Sequence, residues 1–219
     1  GLGLIGDWGA HIIDFAHDWL NLGYPTKVEV VEQQHHNQIQ FASRAHLRMQ
    51  FAARGEGMPA CELNWMDGLN ARPEVPEQYW DVDGEGNPKP QKLPQAGSVL
   101  YREQGDYAID RGSHLAASRM FPRVKMSEYR EHFKAAPAKR NHYGNFIDAC
   151  MGEGTTNSPF SVGAPLTQTL QIGAIAQYLN RSLEFDPAKK QFVGDAEANQ
   201  LLAGEPVREG WGDYYKLDA

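Results

Sequence analysis

The chain has 219 residues, 41% of them apolar and 22% charged, the proportions of a globular protein that buries a core without covalent staples. A net charge of −7 with no stripe of Lys or Arg argues against a nucleic-acid binder, whose affinity comes from clustered cations. No apolar run is long enough for a membrane-spanning helix. The two cysteines, Cys61 and Cys150, read as reduced thiols, neither a disulfide framework nor a zinc site. The chain opens in mid-motif and without an initiator Met, which points to a segment of a longer protein. No cellular address is read from it.

The first six residues, "GLGLIG", place Gly1, Gly3 and Gly6 at the spacing of a dinucleotide-binding turn. Such a turn needs a strand before it, a helix after it and an acidic residue on a second parallel strand. Nothing precedes Gly1, and no parallel βαβ unit follows. No cofactor site is therefore expected in this chain, and the glycines are expected to shape a loop leading tightly into a helix. Ile12, Ile13, Phe15, Ala16, Trp19 and Leu20 recur at helical period, which predicts an amphipathic helix over about 7–20 with Asp7 as its N-cap.

"KVEVVE" reads as a strand. "RAHLRMQFAAR" alternates Ala45, Leu47, Met49 and Phe51 with Arg44, His46, Arg48 and Gln50, the pattern of a sheet covered on one face only. "CELNW" repeats it after the "GEGMP" turn. Residues 70–97, rich in proline and glycine, read as a long irregular excursion. "SVLYREQGDYAID" resumes as a hairpin turning near Gly105. "RNHYGNFIDACMGEG" and "APLTQTLQIGAIAQYLN" read as helices, the second offering Ala164, Leu166, Leu170, Gly173, Ala174 and Tyr178 for packing. "SLEFD" is a short strand and "DAEANQLLAG" a closing helix. A helix, then strands, then helices implies α+β: a mostly antiparallel open sheet with helices on one face, in one domain over 1–219.

The pair that carries chemistry is Asp7 and His11, four residues apart and so on one helical face. A carboxylate beside an imidazole orients the ring and stabilises the cation that forms when it accepts a hydroxyl proton. A nearby helix N-terminus would keep the ring neutral beforehand. Against this stands a plain alternative, in which Asp7 is only a cap and His11 only packs. Trp65 and Asp67 could line a sugar pocket, with Trp65 as core the competing reading. Arg140 and His142, at the start of a helix, could reach substrate or a neighbouring subunit, against a capping or surface role. His35 and His36 point to opposite faces of an extended segment and have no third ligand at suitable spacing, so no metal is expected. Ser98, Ser113 and Ser158 lie in no nucleophile motif.

The segment "GLIGDWGAHIIDFAHDWLNLGYPTKVE" resembles G-x-x-x-D-x-G-x-H-x-x-D-x-x-x-W-x-x-x-L-G-x-P of the Gfo/Idh/MocA family of NAD(P)-dependent sugar and cyclitol oxidoreductases. "RNHYGNFIDACMGE", "SPFSVGAPLTQTLQIGAIAQYLNRSLEFD" and "DAEANQLLAGEPVREGW" resemble the closing helices and tail of one subgroup. "FAARGEGMPACELNWMDG" is similar to that subgroup's strand pair ending in Trp-x-Asp-Gly. The resemblance implies a C-terminal substrate and assembly domain, following a Rossmann domain that holds NAD or NADP and a catalytic lysine. It further implies that Asp7 and His11 are the catalytic pair, with His11 as proton acceptor and donor, on a sugar-like substrate. Redox-assisted glycoside cleavage or elimination is the family's other use of this constellation. Where many relatives have a Gly-x-x-Gly hairpin turn, only Gly105 is present here. A second reading makes the domain an association module, a homo-oligomer formed through its open sheet face.

Overall fold

The computed structural model describes residues 2–37, 39–102, 104–114, 117–134 and 141–215, without the side chains of 133, 134 and 215. Its main sheet has five strands: β1 (Lys27–Gln34), β2 (Arg44–Phe51), β3 (Cys61–Gly68), β9 (Leu183–Asp186) and β10 (Gln191–Phe192), ordered β10-β9-β1-β2-β3. A smaller sheet holds β6 (Gly97–Tyr101), β7 (Ala108–Gly112) and β8 (Ser118–Phe121) in that order. Between the two in sequence, β4 (Asp81–Val82) and β5 (Pro88–Lys89) form a minimal hairpin. Every strand pair among the described residues is antiparallel, so the fold is α+β.

Among the described residues six α-helices accompany the sheets: α1 (Gly3–Trp19), α2 (Arg123–Glu128), α3 (Arg130–Lys134), α4 (His142–Cys150), α5 (Phe160–Leu179) and α6 (Ala196–Ala203). The alternation read in β2 is realised: Ala45, Leu47, Met49 and Phe51 are buried while Arg44, His46, Arg48 and Gln50 stay partly exposed. In β1 the alternation breaks at a bulge between Val30 and Glu32, which leaves Val31 as the extra, exposed residue.

Helices α1 and α5 cover the inner face. Ile5, Ile13, Leu166, Leu170 and Ile172 join the β2 residues and Trp65 in one core cluster. Close approach is achieved at glycines: a Cβ at Gly9 would stand 2.6 Å from Leu170 Cδ2, and one at Gly173 2.4 Å from Met49 Cε. Residues 172–177 of α5 are buried in an unbroken run, because the helix packs against α1, α6 and the sheet together. Tyr178, expected to pack, is instead exposed.

Residues 70–97 are less irregular than expected. They contain a 3₁₀ turn (Glu77–Tyr79) and the β4–β5 hairpin. Val75 and Tyr79 pack with Ala108 and Phe121 into a second small core, joined by Trp80, Leu93 and Val99. In the small sheet, the wholly buried Asp110 faces Arg119 across the β7–β8 ladder and accepts a forked pair of hydrogen bonds from its guanidinium. This small sheet touches α1 through β6, where the Ser98 hydroxyl donates to the carbonyl of Ile12.

Candidate functional site

Helix α1 begins four residues earlier than the sequence suggested. Its N-cap is Leu2, which offers no side-chain acceptor, and Asp7 lies inside the helix rather than capping it. Of the glycines expected to form a lead-in loop, Gly6 lies inside the helix, while Gly3 opens it with a φ of +67°, a conformation that glycine supplies. The cause is tertiary: Ile5 is completely buried in the main core, and that burial holds the first turn helical against the poor intrinsic propensity of glycine. One consequence concerns His11. It stands more than two turns from the helix start, beyond the reach of the N-terminal partial charge.

Asp7 and His11 are both exposed and one turn apart, without a direct hydrogen bond between them. What the His11 ring does contact is His114, two residues past the end of β7. The two imidazoles stack with centroids 4.5 Å apart and planes 16° from parallel. Trp8 stands edge-on to both, 6.3 Å from His11 and 5.5 Å from His114. Trp8 is partly buried and anchored against the main core. His11 thus sits in a corner of three rings where α1 meets the small sheet. His114 carried no signal in the sequence, because its partner lies about a hundred residues away and only the sheet topology joins them.

The other predicted site residues are placed differently. Trp65 belongs to the main core and Asp67 is 7% exposed. The Trp65 indole N–H donates to Asp67 Oδ2 at 2.7 Å, so the two satisfy each other within the fold. Burial raises the Asp67 carboxyl above the usual carboxylate range, opposed by the hydrogen bonds from Trp65 and the Ala45 backbone. Arg140 lies outside the described residues. His142 is exposed on the first turn of α4 with its ring near Tyr143, and the cap is Asn141, whose side chain accepts from the Gly144 N–H at 2.8 Å.

Sequence reasoning also missed His17, although it continues the apolar face at four residues from Ile13. It is buried and donates from Nε2 to the Gly23 carbonyl at 2.9 Å, which Thr169 of α5 also reaches at 3.0 Å. Desolvation lowers its pKa, against the attraction of Asp14 and Asp18. His35 bonds to Ser43, and His36 to the Tyr178 carbonyl. No cluster of three or more metal-ligating side chains occurs among the described residues. Two surface concavities, one between α5 and α6 and one at the start of α5, include neither Asp7 nor His11.

Antiparallel sheets with covering helices, and an exposed imidazole on the first helix, are what the described residues present. Residues 115–213 match the family model described as the C-terminal alpha/beta domain of the oxidoreductase family, Gfo/Idh/MocA. That stretch runs from just before β8 to beyond α6 and is similar to that family's domain; Asp7 and His11 precede it. No curated protein and no solved structure gives a match. Two of the opening glycines stand close against side chains. A Cβ at Gly3 would meet the Phe41 ring at 2.7 Å and one at Gly6 would meet Leu2 at 2.2 Å.

Proposed function

We propose that this chain is the substrate-side and assembly domain of an NAD(P)-dependent oxidoreductase acting on a hydroxyl of a sugar or cyclitol. His11 is its proton acceptor and donor. The observation that carries the reading is the exposed His11 imidazole, one turn beyond the Asp7 carboxylate, in a chain whose residues 115–213 match an oxidoreductase domain. An imidazole nitrogen takes the hydroxyl proton as the carbinol is oxidised and returns it in reduction, while Asp7 steadies the imidazolium electrostatically. Electron acceptance needs a site outside these residues, so the 219-residue chain alone is expected to be inactive. Redox-assisted elimination or glycoside cleavage begins with the same proton removal and is the alternative outcome.

The test is turnover of NAD⁺ or NADP⁺ by the intact protein over a panel of sugars and cyclitols. His11→Asn is expected to lower kcat by about 10²–10⁴-fold with KM changed far less. Turnover equal to that of the parent protein would overturn the role given to His11.

A second reading concerns assembly. The sheet face opposite α1 and α5 carries a mat of long polar side chains: Arg48 bridges Glu29 at 3.2 Å and Glu62 at 3.3 Å, and His46 donates to Asn64 at 2.7 Å. Such a surface suits a wet, symmetric pairing with a second copy. Calorimetry with sugars and NAD(H), alongside sizing chromatography, separates the readings for this chain. Heat from a sugar without cofactor supports the substrate role, and a stable dimer without ligand heat supports assembly.

A further inference from the structure

We infer that His114 is a positioning residue that holds the His11 imidazole in one orientation; the inference rests on the reading of His11 as the proton acceptor. Two observations converge. First, the rings of His11 and His114 are stacked, from two elements that the chain places far apart. Second, Trp8 closes the corner edge-on, at 83° to His114 and 70° to His11. His114 itself has a φ of +60°, a left-handed backbone that glycine adopts freely and that histidine, like Asn and Asp, enters more often than other side chains.

The contact does little for the core, since both imidazoles are exposed. An exposed histidine on a helix exchanges rotamers on the ps–ns scale. Proton transfer, however, needs the accepting nitrogen within hydrogen-bond reach of one hydroxyl. A second ring against its face and an anchored indole at its edge remove that freedom. Trp8 alone cannot do this, because it lies on the same helix as His11 and bounds one side only.

The experiment is NMR of the 219-residue chain with labelled histidine, together with thermal unfolding, for His114→Ala, His114→Phe and His114→Gly. His114→Ala is expected to move the His11 ring protons downfield, by loss of ring-current shielding, and to lower the His11 side-chain order parameter by about a third. His114→Phe, which keeps a flat ring, is expected to restore both. His114→Gly relieves the left-handed backbone: it should free the His11 ring as Ala does while raising the melting temperature by about 1–4 °C. Unchanged His11 signals in His114→Ala, failure of Phe to restore them, or a lower melting temperature with Gly would each overturn the proposal. Failure of the catalytic reading looks different. In that case His11→Asn leaves turnover of the intact protein unchanged, while His114→Ala still releases the ring.

Discussion

His11 and His17 lie six residues apart on one helix, and the fold gives them opposite surroundings, one exposed and one buried. His17 is sealed at the end of α1, where its ring and Thr169 share the Gly23 carbonyl. Because burial lowers its pKa, the unfolded chain takes up the proton first as pH falls. The neutral ring's contribution is complete above the free value of 6.5 and is lost below it, down through the lowered folded pKa. Denaturant midpoints taken on either side of 6.5 should therefore fall on acidification, and the fall should shrink in His17→Gln, which keeps a donor but does not titrate. Asp67 has the reverse sign. Its raised pKa means the folded state holds its proton to higher pH, so any stabilisation is present below 3.8 and lost as pH climbs through the folded pKa. Asp67→Ala strands the buried Trp65 N–H and is expected to cost about 1–3 kcal/mol in urea unfolding; Asp67→Asn, which keeps an acceptor, should cost less. Residue type and spacing made His11 legible. They left Trp65 and Asp67 open between core and pocket wall, because two residues apart on a strand they face the same side, and their bond to each other is not readable from spacing alone.

Among the elements, strands proved easier to read than helix ends. The alternation in β2 reports its one-sided burial directly, and its pairing with β3 runs from Arg44↔Gly68 to Phe51↔Cys61. The start of α1 was hidden because aspartate is a good cap in general, while here a buried isoleucine two turns upstream of Ile12 fixes where the helix begins. Residues 123–134 gave no clear period, and α2 and α3 there are short pieces, α2 without a buried residue. The α1–α5 contact makes the sharpest stability prediction at this scale. In Gly173→Ala the new methyl would meet Met49 Cε at 2.4 Å and Ile5 Cδ1 at 2.8 Å, both in fully buried side chains. Overpacking costs about 1–3 kcal/mol and the gain in helix propensity returns about 1, so a net loss of about 1 kcal/mol is expected from the urea midpoint.

For the molecule as a whole, the order of helix, strands and helices was sufficient to give α+β, and the five-stranded sheet follows from its alternation. The small sheet was half legible: the hairpin around Gly105 was apparent, whereas its second core was not, since Val75 and Tyr79 sit among prolines that mask any period. If the polar sheet face pairs two copies, sizing chromatography should give a dimer for the parent chain and a monomer for Arg48→Glu, which sets a negative charge between Glu29 and Glu62. The position of α1 carries one more consequence. Its imidazole is rooted in the large sheet's layer and the facing imidazole in the small sheet, so the gap between the rings is an internal gauge. Any ligand that wedges the two sheets apart must unstack them, and that event would register in the histidine spectrum before a single turnover was counted.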